Sequence, residues 1–573
     1  MTRFLSLLIA LPLLCASPAL AKPAPAPAPT NAGAAPNAAA EFSAERFRGH
    51  VMFLADDLLE GRDTGSRGHA IAAAYVASQF ESLGLEPAGE QGSWYQWVPL
   101  RTSLLAAQKP VITVSGPGGD RSFENGTDVL IGPSAFDKVQ DFSAPLVYAG
   151  YGIDAPDSGI DDYRGLEVRG KIVVVLAGSP SGISSETAAY FSDQKAVMAA
   201  KRGAIAMILL TTEESEKVAP WAVRVGYLGT PRITWLAKNG QPLNDAPGLR
   251  ATATINGPAA EALFAGTGKT YAALRAEAAR GGRPAGFPLR TRMRIQRSSV
   301  WTDVTSPEVI AALPGSDPKL KHEVVILMGH LDHLGIKRAA ATPASRPASS
   351  ANADKEDLIF NGALDNAAGV ATMIEAARAF VEAGERPRRT ILFIANTAEE
   401  KGLLGADYFA HYPTVPLASI AAVVDLDMPL LLYDFTDVIA FGAEHSTVAQ
   451  AVDKAARSMG ISLSPDPMPE ENIFLRSDHY MFVKQGVPAI MLATGFANGG
   501  EAKWHHYLGN VYHSVGDDLS QPINWQAGAK YARLNYLISR YLADADERPR
   551  WYQGDYFGDL YAPHAPRAPK PAK

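Results

Sequence analysis

The chain has 573 residues, of which 47% are hydrophobic and 20% are charged, and its formal net charge is -7. These are values of globular proteins, and the length predicts two or three domains rather than one. The mild negative charge argues against a nucleic-acid-binding protein and indicates no particular partner.

The first 21 residues are typical of a secretory signal peptide. Arg3 supplies a positive charge, residues 4–14 are apolar, and residues 19–21 form a small-x-small cleavage site. We therefore expect export to the periplasm or the extracellular medium, without a stable membrane span, because the apolar stretch is too short. The only cysteine, Cys15, raises a lipoprotein alternative. Leu14 disfavours that alternative because a small residue usually stands at this position in lipoprotein signals.

Changes of composition predict a division of the remaining chain into five parts. Short apolar runs separated by Gly, Asp and Pro turns indicate a mixed α/β insert inside a larger domain. The parts are a Pro/Ala-rich linker (22–41), the first part of the larger domain (42–130), the insert (131–285), the second part of the larger domain (286–547) and a tail (548–573). The last ten residues of the tail, 564–573, are predicted to be disordered.

From about residue 304 the pattern alternates between apolar strands and amphipathic helices. This alternation predicts an α/β fold with a mostly parallel central sheet, and the continuously apolar strands predict helices on both faces. The helices include one that ends at Gly384, one that ends at Gly460 and a last long helix from Asn524. An Ala/Ser/Pro-rich stretch after His333 is predicted to be a flexible surface loop.

Five residues of metal-ligand type end or follow apolar runs, or lie in Gly-rich turns: His330, Asp365, Glu400, Asp427 and His513. In an open α/β sheet such positions meet at the carboxyl edge of the strands. Two histidines and three carboxylates suit two Zn²⁺ ions with one bridging carboxylate, and other divalent ions would also fit. Glu399 is then a spare carboxylate that can act as a base. Asp332 is placed to hold the second ring nitrogen of His330.

Each of these residues alone has a simpler explanation. Asp365 would suit a helix N-cap, and adjacent glutamates would suit the first turn of a helix. Asp425 could replace Asp427 as a ligand by chemistry alone, and two nearby histidines compete with His513, namely His505 and His506. Only the five positions together predict a metal centre.

Six motifs together resemble the co-catalytic di-zinc exopeptidases of the secreted bacterial aminopeptidase type: GHLDHLG, NGALDNAAG, TAEEKGLLG, VVDLDMP, SDHYMFVKQGVPA and YHSVGDD. Glutamate carboxypeptidase and the metal-free transferrin receptor are more distant relatives. The resemblance covers about residues 42–130 and 290–545. The insert is similar to the protease-associated domain that many of these enzymes carry.

The resemblance implies a role for each ligand. His330 and Asp427 would bind one zinc, Glu400 and His513 would bind the other, and Asp365 would bridge them. The peptide bond after Asp365 is expected to be cis. Leu364 is a departure, because the family usually has Asp there, and it puts the tuning of the bridging carboxylate in doubt.

The resemblance also implies roles for residues around the ligands. Glu399 would be the general base and acid, and Asp332 would support His330. Tyr512 matches a tyrosine that helps to hold the oxyanion in the carboxypeptidase branch. Asp478 and His479 belong to a motif that lies near the site and are expected to contact substrate.

The expected function is that of a secreted zinc-dependent aminopeptidase that removes N-terminal residues from peptides. A carboxypeptidase or dipeptidase of the same fold is an alternative, and Arg476 would then be a candidate to bind the substrate carboxylate. A metal-free binding protein is a more distant alternative. The sequence does not indicate an oligomeric state.

Overall fold

The structure is a computed structural model that describes residues 41–337 and 357–571, all within one compact unit. The predicted signal peptide, residues 22–40 of the predicted linker and most of the predicted loop after His333 lie outside the described residues. Within the described ranges, no helix combines the length and apolar character needed to cross a membrane.

The described residues form fourteen α-helices and twenty-one strands. The helices are α1 (Ala44–Leu54), α2 (Arg67–Ser82), α3 (Ser185–Lys201), α4 (Glu213–Val218), α5 (Trp221–Gly226), α6 (Gly257–Ala260), α7 (Tyr271–Ala279), α8 (Ala368–Glu382), α9 (Leu404–His411), α10 (Val448–Ser458), α11 (His479–Val483), α12 (Gly500–Asn510), α13 (Trp525–Asp544) and α14 (Tyr556–Tyr561). The strands are β1 (Glu86–Pro87), β2 (Tyr95–Leu105), β3 (Val111–Ser115), β4 (Arg121–Phe123), β5 (Val129–Leu130), β6 (Val139–Tyr148), β7 (Asp154–Ala155), β8 (Ile160–Asp161), β9 (Ile172–Leu176), β10 (Ala206–Leu210), β11 (Arg232–Trp235), β12 (Ala251–Ile255), β13 (Phe287–Leu313), β14 (Val324–His330), β15 (Gly335–Ile336), β16 (Ile359–Phe360), β17 (Thr390–Asn396), β18 (Ile420–Asp425), β19 (Asp437–Phe441), β20 (Ser462–Leu463) and β21 (Ala489–Thr494).

A central sheet carries the second half of the chain. Its middle is parallel, in the order β17–β14–β18–β21. Antiparallel neighbours flank this middle, with β13 beside β17 and β19 beside β21. Every residue of β14, β18 and β21 is buried, so both faces of the sheet are covered. The predicted α/β fold is confirmed, with antiparallel strands added at both sides.

Local sequence explains where the main helices begin and end. The side chain of Asn524 accepts a hydrogen bond from Ala527 N and caps α13. Gly384 and Gly460 follow α8 and α10 in the left-handed conformation that ends a helix. Helix α13 packs against α8, α1 and α10, whereas α9 packs against α11.

One strand of 27 residues, β13, joins two sheets. Its first half pairs with β3 and β6, and β6 leads into the parallel strands β9, β10 and β12. Its second half pairs with β2 and then with β17 of the central sheet. The insert is therefore attached to the central sheet through continuous backbone hydrogen bonding. The boundaries at residues 131 and 285 stay predictions.

Of the ten residues predicted to be disordered, those at 564–571 are described and pack against the protein, in contrast to the prediction. The backbone N–H of Ala568 donates to the carbonyl of Trp551 at 2.8 Å, and Ala568 is buried. The guanidinium of Arg567 donates to the carbonyl of Gly558 at 2.8 Å. The Pro/Ala-rich composition was misleading because the segment pairs with the backbone at residues 551–553 and needs no core of its own.

Candidate metal centre

The candidate ligands meet at the carboxyl edge of the parallel strands. His330 is the last residue of β14, and Asp427 lies two residues beyond the end of β18. Glu400 follows β17 after a short turn, Asp365 lies directly before α8, and His513 follows α12. Because parallel strands end at the same edge, these residues come together although they span 184 positions of sequence.

Asp365 lies between two groups of ligands. His330 Nε2 is 3.1 Å from Asp427 Oδ1 and 3.2 Å from Asp365 Oδ1. His513 Nε2 is 3.3 Å from Asp365 Oδ2 and 3.1 Å from Glu400 Oε2. The two oxygens of one carboxylate therefore face two separate pairs of donors, which is the geometry of a bridging ligand.

His333 is a further member that the sequence analysis did not assign to the site. Its Nδ1 lies 2.6 Å from Glu400 Oε1, and its ring centroid lies 5.9 Å from that of His513. The Nε2 atom of His333 is buried and has no hydrogen-bond partner among the described residues. Its place three residues after His330 was the only signal in the sequence.

The donor set fits divalent cations. Asp365, Asp427 and Glu400 are buried next to one another, and buried carboxylates repel unless cations offset their charge. Burial opposes the charged form of Asp365, but hydrogen bonds to His330 and His513 outweigh burial and hold its pKa well below the usual range. Burial instead raises the pKa of Asp427. A charged carboxylate such as Asp365 beside imidazole nitrogens suits zinc and similar metals.

Glu399 lies beside the ligands without joining either group. It lines a cavity of about 140 Å³ above Asp365 and Asp427. Burial raises the pKa of Glu399 well above its ordinary value, and the carboxylates of Glu400 and Asp427 add to this effect. A carboxyl group in this environment can hold a proton near neutral pH, as a general acid or base requires.

Asp332 supports the site differently from the expectation. Its main-chain carbonyl, rather than its carboxylate, lies 3.1 Å from His330 Nδ1. The carboxylate accepts hydrogen bonds from Thr64 Oγ1 at 2.9 Å and from Glu399 N at 3.1 Å. One residue therefore fixes both the ring of His330 and the backbone of Glu399, with Nε2 of His330 left for the ligand cluster.

Asp478 and His479 differ from the prediction that they contact substrate. Both side chains are fully buried, and the cavity is lined by Ser477 instead. Asp478 accepts a hydrogen bond from Asn396, and His479 N donates to Asp425 Oδ2 at 3.1 Å. The motif lies beneath the ligands because it begins α11, which packs against β18 and β21.

Asp425 stands behind Asp427 and does not take its place. Ser477 Oγ lies 2.7 Å from Asp425 Oδ2 and 2.7 Å from Asp427 Oδ2. Asp425 is fully buried, whereas Asp427 reaches the cavity. Asp427 is therefore the one of these two residues that the cavity exposes, and its role as the ligand stays a prediction.

The backbone before α8 is held by a carboxylate distant in sequence. The Asp365–Asn366 peptide bond is cis, as the resemblance implies. Asp517 accepts hydrogen bonds from Leu364 N at 3.0 Å and from Asp365 N at 2.9 Å. Tyr507 Oη donates to the same carboxylate at 3.1 Å. Leu364 itself is buried, so this chain has an apolar contact at the position where the family usually has a carboxylate.

A buried arginine links the two chain segments that carry His330 and Asp365. Arg62 donates to the carbonyls of Leu331 at 2.9 Å, Asn361 at 2.6 Å and Gly362 at 3.1 Å. Burial lowers the pKa of Arg62 to about 10, and the charge of Asp517 opposes that shift. Arg62 thus stays charged at neutral pH. Neither Arg62 nor Asp517 was identified from the sequence.

The cavity wall combines apolar and charged side chains. Tyr512 lines it, as expected, and its ring stacks on His513 with centroids 3.8 Å apart. Arg476 also lines it, and its Nη1 lies 3.1 Å from Glu471 Oε2. Four apolar side chains complete this part of the wall: Met428, Ile473, Met491 and Leu508.

The chain matches two protein-family models and is similar to curated proteins. The model of peptidase family M28 matches residues 308–538, which contain all the candidate ligands, and the model of the PA domain matches residues 142–236. The chain is 45% identical over 67 residues to "Probable zinc metalloprotease" of Pyrenophora tritici-repentis, covering 12% of this chain and 15% of that protein. It is 24% identical over 272 residues to "probable leucine aminopeptidase 2" of Aspergillus oryzae, covering 44% of this chain and 49% of that protein.

The chain thus spans about half or less of the length of these two curated relatives. Among solved structures, "Aminopeptidase from Aneurinibacillus sp. strain AM-1" is 19% identical with a TM-score of 0.47, and the match covers 89% of this chain and 95% of that chain.

Proposed function

Because the model of peptidase family M28 matches residues 308–538, we propose that this protein is a zinc-dependent aminopeptidase with two metal ions at its active centre. The observation that carries the proposal is the position of Asp365 between two groups of ligands, with one oxygen towards His330 and the other towards His513. A single-metal enzyme would have no use for this arrangement. The match to a zinc metalloprotease supports the choice of zinc.

Each residue of the site has a role in the reaction that such a centre would perform. His330 and Asp427 would hold one ion, and Glu400 and His513 would hold the other. Asp365 would contact both ions, and His333 lies beside Glu400. Zinc in such a site acidifies water and polarises carbonyl groups. Glu399 accepts the proton of the attacking water at its carboxylate and passes it to the leaving amine. Tyr512, at the cavity wall, is placed to donate to the developing oxyanion.

We propose that the substrate end is the amino end of a peptide rather than the carboxyl end. A carboxypeptidase needs a cation that is free to bind the substrate carboxylate. Arg476 faces the cavity, but its guanidinium is paired with Glu471 at 3.1 Å. Both side chains of this pair are about half exposed, at 52% and 43%, so the pairing offsets only part of the positive charge on which the carboxypeptidase alternative depends. The match to a probable leucine aminopeptidase agrees with this choice.

The cavity wall also indicates which terminal residue is preferred. Met428, Ile473, Met491 and Leu508 present apolar surface beside Glu399 and Asp427. Transfer of an apolar side chain from water onto such a surface is favourable by about 1–3 kcal/mol. We therefore propose a preference for apolar N-terminal residues such as Leu. Export to the periplasm or the extracellular medium is part of the same proposal, based on residues 1–21.

Paired peptides test this proposal directly. One peptide has a free N-terminal Leu, the second has the same sequence with an acetylated N-terminus, and a third begins with Asp. Mass spectrometry with the zinc-loaded chain should show stepwise N-terminal loss from the free Leu peptide, slower loss from the Asp peptide and none from the acetylated one. A chelator should stop the reaction and zinc should restore it.

Other outcomes would assign the protein elsewhere. Shortening of both Leu peptides from the C-terminus would make it a carboxypeptidase. Cleavage confined to dipeptides would make it a dipeptidase. Absence of cleavage together with absence of bound metal would favour a binding protein.

A further inference from the structure

A second group of ligand-type residues lies where the insert meets the catalytic part and the tail. Glu186 is in the first turn of α3, within the PA domain match. Glu444 and His445 are in a short 3₁₀ turn after β19, and Asp555 lies directly before α14. We call these four residues the α3 cluster. It shares no residue with the candidate metal centre.

Asp555 fixes the orientation of the histidine. His445 Nδ1 is 2.7 Å from Asp555 Oδ2, so Nδ1 donates and Nε2 points the other way. The side chain of His445 is only 9% exposed, and its Nε2 is buried without a hydrogen-bond partner among the described residues. A carboxylate behind a histidine, with the far nitrogen left unpaired, is the usual arrangement around a metal-binding histidine.

The distance between His445 and Glu186 suits two ligands of one ion better than a hydrogen bond. His445 Nε2 is 3.6 Å from Glu186 Oε2, beyond the range of a hydrogen bond. Two ligands on one tetrahedral zinc are roughly 3.4 Å apart. The corresponding nitrogen–oxygen distances at the candidate metal centre are 3.1–3.3 Å. One ligand atom from each of Glu186, Glu444 and His445 lies within 4.8 Å of the others.

We propose that Glu186, Glu444 and His445 bind a divalent transition-metal ion such as zinc, separate from the candidate metal centre. One imidazole nitrogen and two carboxylates are a normal donor set for zinc, and the exposure of Glu444 leaves a path for the ion and a place for water. The ion joins the first turn of α3 to the turn after β19. It therefore fastens the insert to the catalytic part.

Neighbouring contacts explain why a fastening point at this position matters. Helix α3 also contacts the tail through aromatic rings, with Tyr190 6.1 Å from Phe557 and Phe191 6.2 Å from Tyr556. On the other side, the ring of His445 packs against Phe474 at 4.6 Å, and Phe474 follows Ile473 of the cavity wall. An ion in the α3 cluster would thus connect the position of the insert with the wall of the substrate cavity.

A proton is the competitor for the same nitrogen. Burial opposes protonation of His445, but the hydrogen bond to Asp555, the proximity of Glu186 and the charges of Asp555 and Glu444 outweigh burial and raise the pKa of His445 to about 10. Without metal the ring is thus an imidazolium held by carboxylates. Metal binding must release this proton. The metal-bound form and the protonated, metal-free form are therefore distinguished by counting bound metal.

Native mass spectrometry of the zinc-loaded chain separates these states. Glu186→Gln and His445→Gln should each bind one zinc ion fewer than the natural chain. Asp193→Asn makes the same charge change at an exposed position of α3 and should keep the full number. Glu186 is partly exposed, so Glu186→Gln still gives an answer if His445→Gln does not fold.

If the natural chain and Glu186→Gln bind the same number of zinc ions, the proposal is overturned, and His445 is instead an imidazolium paired with carboxylates. The result does not depend on the proposed activity, because the difference of one ion remains whether the candidate metal centre binds two ions or none. As a second readout, added zinc should raise the melting temperature of the natural chain more than that of Glu186→Gln.

Discussion

At the residue scale, the candidate metal centre is organised by side chains that hold other side chains in place. Asp332 fixes His330 and the backbone of Glu399, and Asp517 fixes the backbone of Asp365. Among the carboxylates that line the cavity in the described part of the chain, only Glu399 combines a raised pKa with freedom from the ligand groups. The chemistry therefore depends most on this one carboxylate.

Replacement of Glu399 by Gln should reduce kcat by about 10²–10⁴-fold while bound zinc stays constant. The amide keeps the size of the side chain but cannot accept a proton from water. Peptide hydrolysis rates and zinc content measured on the same samples check this. Glu385→Gln, at an almost fully exposed carboxylate, is the matched control and should be unaffected. A Glu399→Gln enzyme within a few-fold of the natural rate would remove Glu399 from the reaction.

Replacement of Asp517 by Asn should lower the free energy of unfolding by about 1–3 kcal/mol and weaken zinc binding. The side-chain amide of Asn has one acceptor oxygen where the carboxylate of Asp has two, so the N–H of Leu364 or of Asp365 loses its hydrogen-bond acceptor. Urea denaturation and zinc titration measure the two effects. Asp518→Asn makes the same change in a neighbouring turn where Asn can still cap, and should be close to neutral. Equal stability of the two variants would show that Asp517 does not hold this backbone.

The candidate metal ligands could be predicted from the sequence better than the residues that hold those ligands in place, for a physical reason. His330, Asp365 and Asp427 lie at ends of apolar strands or beside a helix start, which are local patterns. Arg62 and Asp517 act across 269 and 152 positions of sequence, and nothing local distinguishes them from surface charges. His333 shares a motif with His330, but its contact with Glu400 depends on the fold.

At the element scale, prediction succeeded where each element contains its own signal. The fully buried, mostly apolar strands β14, β18 and β21 and the Gly-terminated helices α8 and α10 were recognised. The five-residue strand β19 was not, because its sequence DVIAF has no periodicity over so short a length. The 27-residue length of β13 also could not be predicted, since it depends on pairing with partners in two sheets.

Helix α8 offers an element-scale test of how tightly the site is packed. A Cβ at Gly369 would lie 2.0 Å from Asn366 Oδ1 and from the carbonyl of Leu426. Gly369→Ala should therefore destabilise the fold by about 3 kcal/mol or more and reduce zinc binding. Gly49→Ala, in α1 with nothing within 4 Å, should instead stabilise it by about 0.5–1 kcal/mol. Urea denaturation of both variants checks the contrast, which a tolerated Gly369→Ala would contradict.

At the scale of the whole molecule, the insert and the central sheet are one structure. Strand β13 runs through both sheets, and β11 at the end of the PA domain match pairs with β2. Trp235 of β11 belongs to a small buried cluster with Val98, Leu100, Tyr408 and Ala398, the residue before Glu399. The insert therefore shares a hydrophobic cluster with the neighbour of the carboxylate proposed as the general base, which composition alone could not reveal.

Trp235→Ala should lower the free energy of unfolding by about 3–5 kcal/mol, because it removes a buried ring and leaves Asp407 without its indole donor at 2.7 Å. It should also lower kcat, since it loosens the cluster that contains Ala398, the residue before Glu399. Trp97→Ala, on β2 with a 49% exposed side chain, is the control and should cost much less. Urea denaturation and peptide hydrolysis measure both effects. A loss of stability without loss of activity would show that the insert does not support Glu399.

The most direct test of the account is an anomalous difference map from crystals of the zinc-loaded chain. We predict two peaks at the candidate metal centre, one against His330 and Asp427, the other against Glu400 and His513, each also touching one oxygen of Asp365. A single peak, or none, at Asp365 in a chain that hydrolyses peptides would contradict the central claim that this carboxylate bridges two metal ions.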